Sequence, residues 1–230
     1  MKYAIAFGFM SIALAAGAFA YPSASILLIW TSISFALVSR AYAGRGARAF
    51  GKGPDGRLSP IHRLLLLPYL AYSSIIWHLC RLISNEPSFN RIDDTLTVGR
   101  RLLASEIPDG FDHYVDLTAE FEDPASIRIR PSYRCLPILD ANVPSPEELN
   151  RTVEAVSNGS AYVHCAQGHG RTGVFALALL IHRGQVTTAR EGLAVLKNLR
   201  PAIRLNRTQT RFIEDYLAWR PCAAPSSTPS

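Results

Sequence analysis

From Tyr3 to Ser39 the chain has neither a charged residue nor a histidine, and this 37-residue apolar run is broken only by Tyr21-Pro22-Ser23. One helix of that length would extend about 55 Å against a hydrocarbon core of roughly 30 Å, so the pattern predicts two spans, near 3–20 and 24–39, joined by a tight turn. Residues 1–39 are therefore expected to form a transmembrane helical hairpin. Lys2 ahead of a stretch ending in Ala18-Phe19-Ala20 also has the form of a cleaved secretory leader, but the second apolar run follows at once and favours the hairpin. A third uncharged run, Leu64 to Cys80, would reach only about 25 Å as a helix and contains Pro68 and His78. Residues 64–82 can thus cross a membrane or lie along its interface, with Tyr69, Tyr72 and Trp77 at headgroup depth in the second case.

Past residue 83 short β-type runs alternate with helical ones. Strands are expected at Asp94–Gly99, His113–Leu117, Arg134–Ile138 and Ala161–His164. Ser145-Pro146-Glu147-Glu148 is a capping box with proline at the first helical position, and it opens a helix running to about Ser157. A second helix starts after Arg171; Val174, Leu177, Leu179, Leu180 and Ile181 make it apolar on most faces, so it should be buried, and it should end near Gly184. Two more begin at Thr188 and Asn206, the last running to Trp219 with Phe212, Ile213, Tyr216 and Leu217 on one side. The alternation predicts an α/β arrangement, a central sheet flanked by helices, over residues 83–220. Residues 221–230, rich in proline and serine, are expected to form a disordered tail.

Charge changes this picture through its distribution. A net charge of +6 with a pI near 9.4 would by itself raise nucleic acid as a partner. However, residues 1–82 hold eight basic residues and one acidic, while residues 83–230 hold 16 and 17. Arg40, Arg45, Arg48, Lys52, Arg57 and Arg63 all fall in residues 40–63, which read as a solvated basic linker attracted to anionic headgroups by about 1 kcal/mol per residue near the surface. The expected partner is a lipid bilayer and not nucleic acid. Such a loop belongs on the cytoplasmic side; an interfacial third segment keeps residues 83–230 there and a crossing one exports them. The expectation is an integral membrane protein with a cytoplasmic soluble domain.

The chemistry is concentrated in Ala161 to Gly173, AYVHCAQGHGRTG. A short strand delivers Cys165 into a loop, Ala166-Gln167-Gly168-His169-Gly170, whose backbone N–H groups can turn inward around a tetrahedral anion because glycine permits the dihedrals required. The anion would also face the positive end of the following helix. Arg171 adds a planar, permanently charged fork that can hold two phosphate oxygens. The same field favours the thiolate of Cys165, the form in which a cysteine is nucleophilic. His164 can orient the loop by hydrogen bonding, and the Thr172 hydroxyl can donate to the sulfur as it leaves a phospho-enzyme.

His164-Cys165, Gly168 and Arg171-Thr172-Gly173 resemble the His-Cys-x5-Arg-Ser/Thr signature of cysteine-dependent protein tyrosine phosphatases, and the size of the domain is similar to the dual-specificity branch. The resemblance, over roughly residues 83–220, implies thiolate attack giving phosphocysteine, hydrolysis of that intermediate, and an aspartic acid on another loop that protonates the leaving oxygen. Asp140, 25 residues before Cys165, stands where this branch carries that acid; Asp123 and Asp116 are weaker rivals. His169 reads as a tuning or solvent-facing residue, Gln209 as helix surface and Cys135 as a small core residue. No cofactor is expected, no metal-ligand spacing occurs, and the four cysteines do not form a disulfide framework. The substrate implied is a phosphorylated protein. A phospholipid headgroup is the alternative, although Ala166 and His169 stand where inositide-cleaving relatives carry lysines; a non-catalytic phosphate-binding scaffold is the other.

Overall fold

The computed structural model describes residues 1–220, so the tail expected at 221–230 lies outside the described residues. Helices α1 (Lys2–Ala20) and α2 (Ser25–Arg40) form a hairpin closed by a 3₁₀ turn at Pro22–Ala24, where the apolar run is broken. Hydroxyls hold the pair together: Ser11 Oγ donates to the Ser32 carbonyl (2.9 Å), Ser32 Oγ to the Ser11 carbonyl (2.8 Å) and Ser39 Oγ to the Ala4 carbonyl (2.7 Å).

Helix α3 (Pro60–Ile83) begins with Ser59 capping the N–H of His62 and proline in the first turn. Pro68 sits inside it and has no N–H for the Leu64 carbonyl. The indole N–H of Trp30 donates to that carbonyl at 3.1 Å, and the N–H of Tyr69 donates to Ser34 Oγ at 3.2 Å, so the segment around Pro68 is stitched to α2. By length and composition α1, the helical stretch Pro22–Phe50 and α3 are each apolar enough to cross a membrane.

Residues 89–165 supply a five-stranded sheet of β1 (Phe89–Arg91), β2 (Leu96–Arg100), β3 (His113–Thr118), β4 (Tyr133–Ile138) and β5 (Ala161–Cys165), in the order β1-β2-β5-β3-β4. Only β1 runs antiparallel to its neighbour. The strands expected from the pattern are present, shifted by at most two residues at an end; β1 is additional, and three residues are too few to show a period. The short α4 (Ala125–Arg128) precedes β4, and α5 (Pro146–Ala155), α6 (Gly170–His182), α7 (Ala189–Leu199) and α8 (Arg207–Trp219) follow it. The expected capping box at Ser145 is made, and Thr188 and Asn206, where two further helices were expected to begin, cap theirs as well. Alternate residues of the strands feed two cores: Val115, Leu117, Ala161 and Val163 pack with α5, α6 and α8, while Tyr114, Tyr133 and Tyr162 face the other side.

That second face corrects the reading of residues 40–63 as a solvated linker. Residues 41–58 pack, with Ala41, Phe50 and Leu58 buried beside Ala119 and Leu139. Lys52, expected to be one of the linker's solvated charges, is fully buried and donates to Asp116 Oδ2 at 2.6 Å and to the Thr118 carbonyl at 2.7 Å. Tyr69 and Trp77 are also buried, Tyr69 edge-on against Phe7 and Phe35 of the hairpin and Trp77 against the loop after β5, whose Ala166 carbonyl it reaches. Tyr72 is exposed.

Candidate active site

β5 ends at Cys165 and α6 begins at Gly170, so the loop between them is pinned at the C-terminal edge of the sheet, directly before a helix N-terminus. Gly168 has φ +74°, and a Cβ there would lie 2.4 Å from the Gly99 carbonyl, so only glycine fits. Its N–H donates to Cys165 Sγ at 3.2 Å. The outward carbonyls of the loop are held by residues outside it: Trp77 Nε1 donates to Ala166 O (3.0 Å), Arg200 Nη2 to Gln167 O (3.1 Å) and Arg200 Nε to Gly168 O (2.9 Å). With these carbonyls fixed outward, the loop is set up to present N–H groups inward.

Burial works against ionisation of Cys165, but the Arg171 guanidinium, the Thr172 hydroxyl and the N–H groups of Thr172 and His169 outweigh it and hold the thiol below its ordinary value. Arg171 is buried. Its Nη1 and Nη2 form a two-pronged pair with Glu120 (2.9 and 2.8 Å), Nη1 also donates to the Ile138 carbonyl (2.9 Å), and Asp140 Oδ1 lies 3.3 Å from Nη2. Asp140, 65% exposed in its side chain, shares with Cys165, Ala166, Gln167 and Arg171 the walls of a cavity of about 320 Å³, closed on the opposite side by α3.

His164 is buried with Nε2 2.9 Å from Asp123 Oδ2. Burial alone would lower its pKa; Asp123 more than offsets this and raises it. Asp123 is therefore engaged under the loop, and Asp116 is engaged by Lys52 and Tyr133, so neither rival of Asp140 reaches the cavity. Asp116, Asp123 and His164 are also the one group with metal-ligand geometry among the described residues. The Lys52 ammonium already supplies a cation there. His169 is half-exposed and pairs with Glu86 at 2.8 Å. Cys135 is half-buried, and burial pushes its thiol up to about 12.

Gln209 departs from the expectation of helix surface. It is buried, bonds back to the Asn206 N–H as part of the cap, and sits so near Gly170 that an added Cβ would be 2.8 Å from its Oε1. Sequence reading also missed Glu120, Arg200 and Trp77. Glu120 had a usable signal, an acidic residue just past the end of a predicted strand, where α/β sheets place ligand-handling groups. Arg200 and Trp77 had none, since each acts through a carbonyl remote in sequence.

Residues 107–213 match a family model described as a Swiss Army Knife protein, DSP-PTPase phosphatase domain (PTP-SAK). Among solved structures, Tk-PTP in its active form is similar with a TM-score of 0.50 and 23% identity, over 58% of this chain and 99% of that one. PTPMT1 in complex with PI(5)P is similar with a TM-score of 0.50 and 16% identity, over 56% of this chain and 94% of that one. At such identities the likeness is one of fold. Taken with the sheet and the Cys165 to Arg171 loop, the match shows that residues 107–213 resemble the dual-specificity branch of the cysteine-dependent protein tyrosine phosphatases.

Proposed function

We propose that the protein is a membrane-anchored phosphomonoester hydrolase that works through a phosphocysteine intermediate. The observation that carries this reading is Cys165, held toward its thiolate at the foot of a cavity that also contains the Arg171 fork and the Asp140 carboxyl. In the first step Sγ attacks phosphorus, the S–P bond forms as the ester P–O bond breaks, and Asp140 gives its proton to the departing oxygen. In the second, water attacks phosphocysteine, Asp140 takes its proton, and the S–P bond breaks to release inorganic phosphate. Arg171 and the loop N–H groups hold the equatorial oxygens throughout. Trp77, Arg200 and Glu120 act as positioning residues.

The experiment is hydrolysis of an aryl phosphate by the full-length protein in detergent with a metal chelator present, together with acid-quench trapping of a phosphate label on Cys165. Absence of both turnover and label overturns the reading. Replacing Asp140 with asparagine is expected to slow turnover of a poor leaving group by roughly 10²–10⁴-fold. The limb of the pH profile that rises with pH belongs to Cys165, whose thiol is held below its ordinary value, and should remain in this variant. Replacing Glu120 with glutamine removes the charge that aligns Arg171, and a loss of about 10–100-fold in kcat/KM is expected, read as separate changes in KM and kcat.

The hairpin α1–α2 is assigned as the membrane anchor. Met1 and Lys2 line a cavity with Asp140, Asn206 and Gln209, and α2 ends in residues packed on the soluble domain, so both ends of the hairpin lie on the domain's side. With Arg40, Arg45, Arg48, Arg57 and Arg63 on that side, the domain is assigned to the cytoplasm.

A further inference from the structure

Helix α3 is fastened to the phosphatase domain at both ends. Immediately before it, the N–H of Leu58 donates to Glu122 Oε1 (2.8 Å); near its far end Trp77 reaches the Ala166 carbonyl and Arg81 donates to Glu106 Oε1 (2.7 Å). Between these points Leu66 packs with Ala119 and Leu139. A helix of 24 residues, about 36 Å, tied at both ends to one soluble domain lies along that domain and does not leave it to traverse a bilayer. Its other stripe, Ile61, Leu64, Ile75, Leu79 and Leu82, is nonetheless apolar and exposed, with Leu82 at 76%. The outer surface of the hairpin is likewise apolar, with Phe9, Ile12, Ile26 and Ile29 exposed, and the Trp30–Leu64 bond joins α2 to α3. An apolar face of this extent that adjoins a membrane hairpin and has Arg63 exposed at its edge fits one occupant, the headgroup–acyl boundary of a leaflet.

The inner stripe of the same helix is one wall of the catalytic cavity. Tyr69, Ser73 and Trp77 face Cys165 and Arg171 across it, while Tyr72 and Ile76 line the cavity and are also exposed on the outside. The rim of the site therefore belongs to the apolar surface. About 320 Å³ accommodates a phosphate and a few attached atoms but no acyl chain, and Lys2, Arg204 and Arg207 line the adjoining cavity beyond Asp140.

Resting on the phosphatase reading above, we infer that α3 lies in the membrane interface and that the substrate is the phosphomonoester of a membrane lipid. Its headgroup phosphate enters between α3 and the loop to meet Cys165, and its apolar body stays in the leaflet against Tyr72 and Ile76. Water and the lipid phosphomonoester give a lipid hydroxyl and inorganic phosphate; the P–O bond breaks and the lipid oxygen takes the proton. Because α3 does not cross, the domain stays on the side of residues 40–63.

The test uses the full-length protein in phosphatidylcholine vesicles carrying phosphatidic acid, phosphatidylglycerol phosphate or a phosphatidylinositol monophosphate. Glycerol 3-phosphate, a phosphotyrosine peptide and para-nitrophenyl phosphate are assayed in parallel. At least one vesicle lipid should exceed both glycerol 3-phosphate and the peptide in kcat/KM by about 100-fold, since remote binding energy is used in the transition state. The double variant Ile75→Asp with Leu79→Asp, on the outer stripe and away from the cavity, should lower lipid turnover about tenfold or more and leave para-nitrophenyl phosphate hydrolysis within about twofold. The retained aryl phosphatase activity also shows that the variant folds. A peptide preferred over every lipid, or a variant that leaves lipid turnover unchanged, overturns the substrate assignment alone; wild type inert toward para-nitrophenyl phosphate overturns the phosphatase reading itself.

Discussion

Cys165→Ser is expected to lower phosphate release from an aryl phosphate by roughly 10⁴-fold or more, with the protein still folded. Sulfur and oxygen are close in size, and Cys165 is buried in the same core as Val163 and Val174, so packing should change little. What changes is ionisation. An ordinary thiol near 8.5 is about 3% thiolate at neutral pH, and the field of Arg171 and the loop N–H groups raises that fraction; a serine hydroxyl stays protonated in the same field. The sign of the pH dependence follows. Activity should rise as Cys165 loses its proton, and this rise should be complete below the range of an ordinary thiol. Steady-state release of phosphate measures the first point, and iodoacetamide inactivation against pH measures the second in the wild type. Turnover by the serine variant within about tenfold of wild type would rule out a phosphocysteine route.

The largest expected effect on stability comes from Lys52. Its ammonium and the Asp116 carboxylate are both 0% exposed in their side chains and 2.6 Å apart. Lys52→Met would leave Asp116 charged, buried and short of its main partner, a cost of about 3–5 kcal/mol. For a chain of this size that corresponds to a fall in Tm of roughly 6–20 °C, measurable by thermal unfolding in detergent. Adding Asp116→Asn to the variant should recover much of the loss, and failure to do so would show that the pair is not its source. Burial alone would raise the pKa of Asp116 and lower that of Lys52; each charge more than reverses this for the other, so Asp116 lies below its ordinary value and Lys52 above. The depressed carboxylate contributes stability that is present above its unfolded value near 3.9 and is lost as pH falls through the lower folded one. The raised ammonium contributes stability that is present below its unfolded value near 10.4 and is lost as pH rises through the higher folded one. In Lys52→Met the buried carboxylate loses its main partner, so its pKa rises and the destabilisation should be smaller at acidic than at neutral pH. For the same reason, a fragment beginning at residue 83 is expected to be unstable, since it lacks both Lys52 and the Trp77 bond to the catalytic loop.

The parts of this protein that were readable from the chain are those fixed by neighbours. The hairpin follows from a charge-free run with one break, the helix starts from caps whose partners lie three residues away, and the loop from a cysteine, glycines and an arginine spaced closely enough to surround one anion. The parts that were misread or missed are fixed by partners far along the chain. Lys52 meets Asp116 across 64 residues, Glu120 meets Arg171 across 51 and Trp77 meets Ala166 across 89. A lysine among glycines reads as solvated, a tryptophan in an apolar run as membrane-facing and a glutamine on a helix as exposed, because each local pattern is satisfied by water or lipid equally well. The sheet order β1-β2-β5-β3-β4 brings the ends of β3 and β5 together, and the N-terminal segment then covers the face that Asp116 occupies. The amino-acid sequence thus set the elements and the chemistry of the loop, whose determinants are contiguous. Tertiary packing decided which carboxylate aligns the arginine, which residues hold the loop carbonyls outward and that α3 forms the wall of the site, because those outcomes depend on desolvation and hydrogen-bond pairing that exist only once distant segments share one interior.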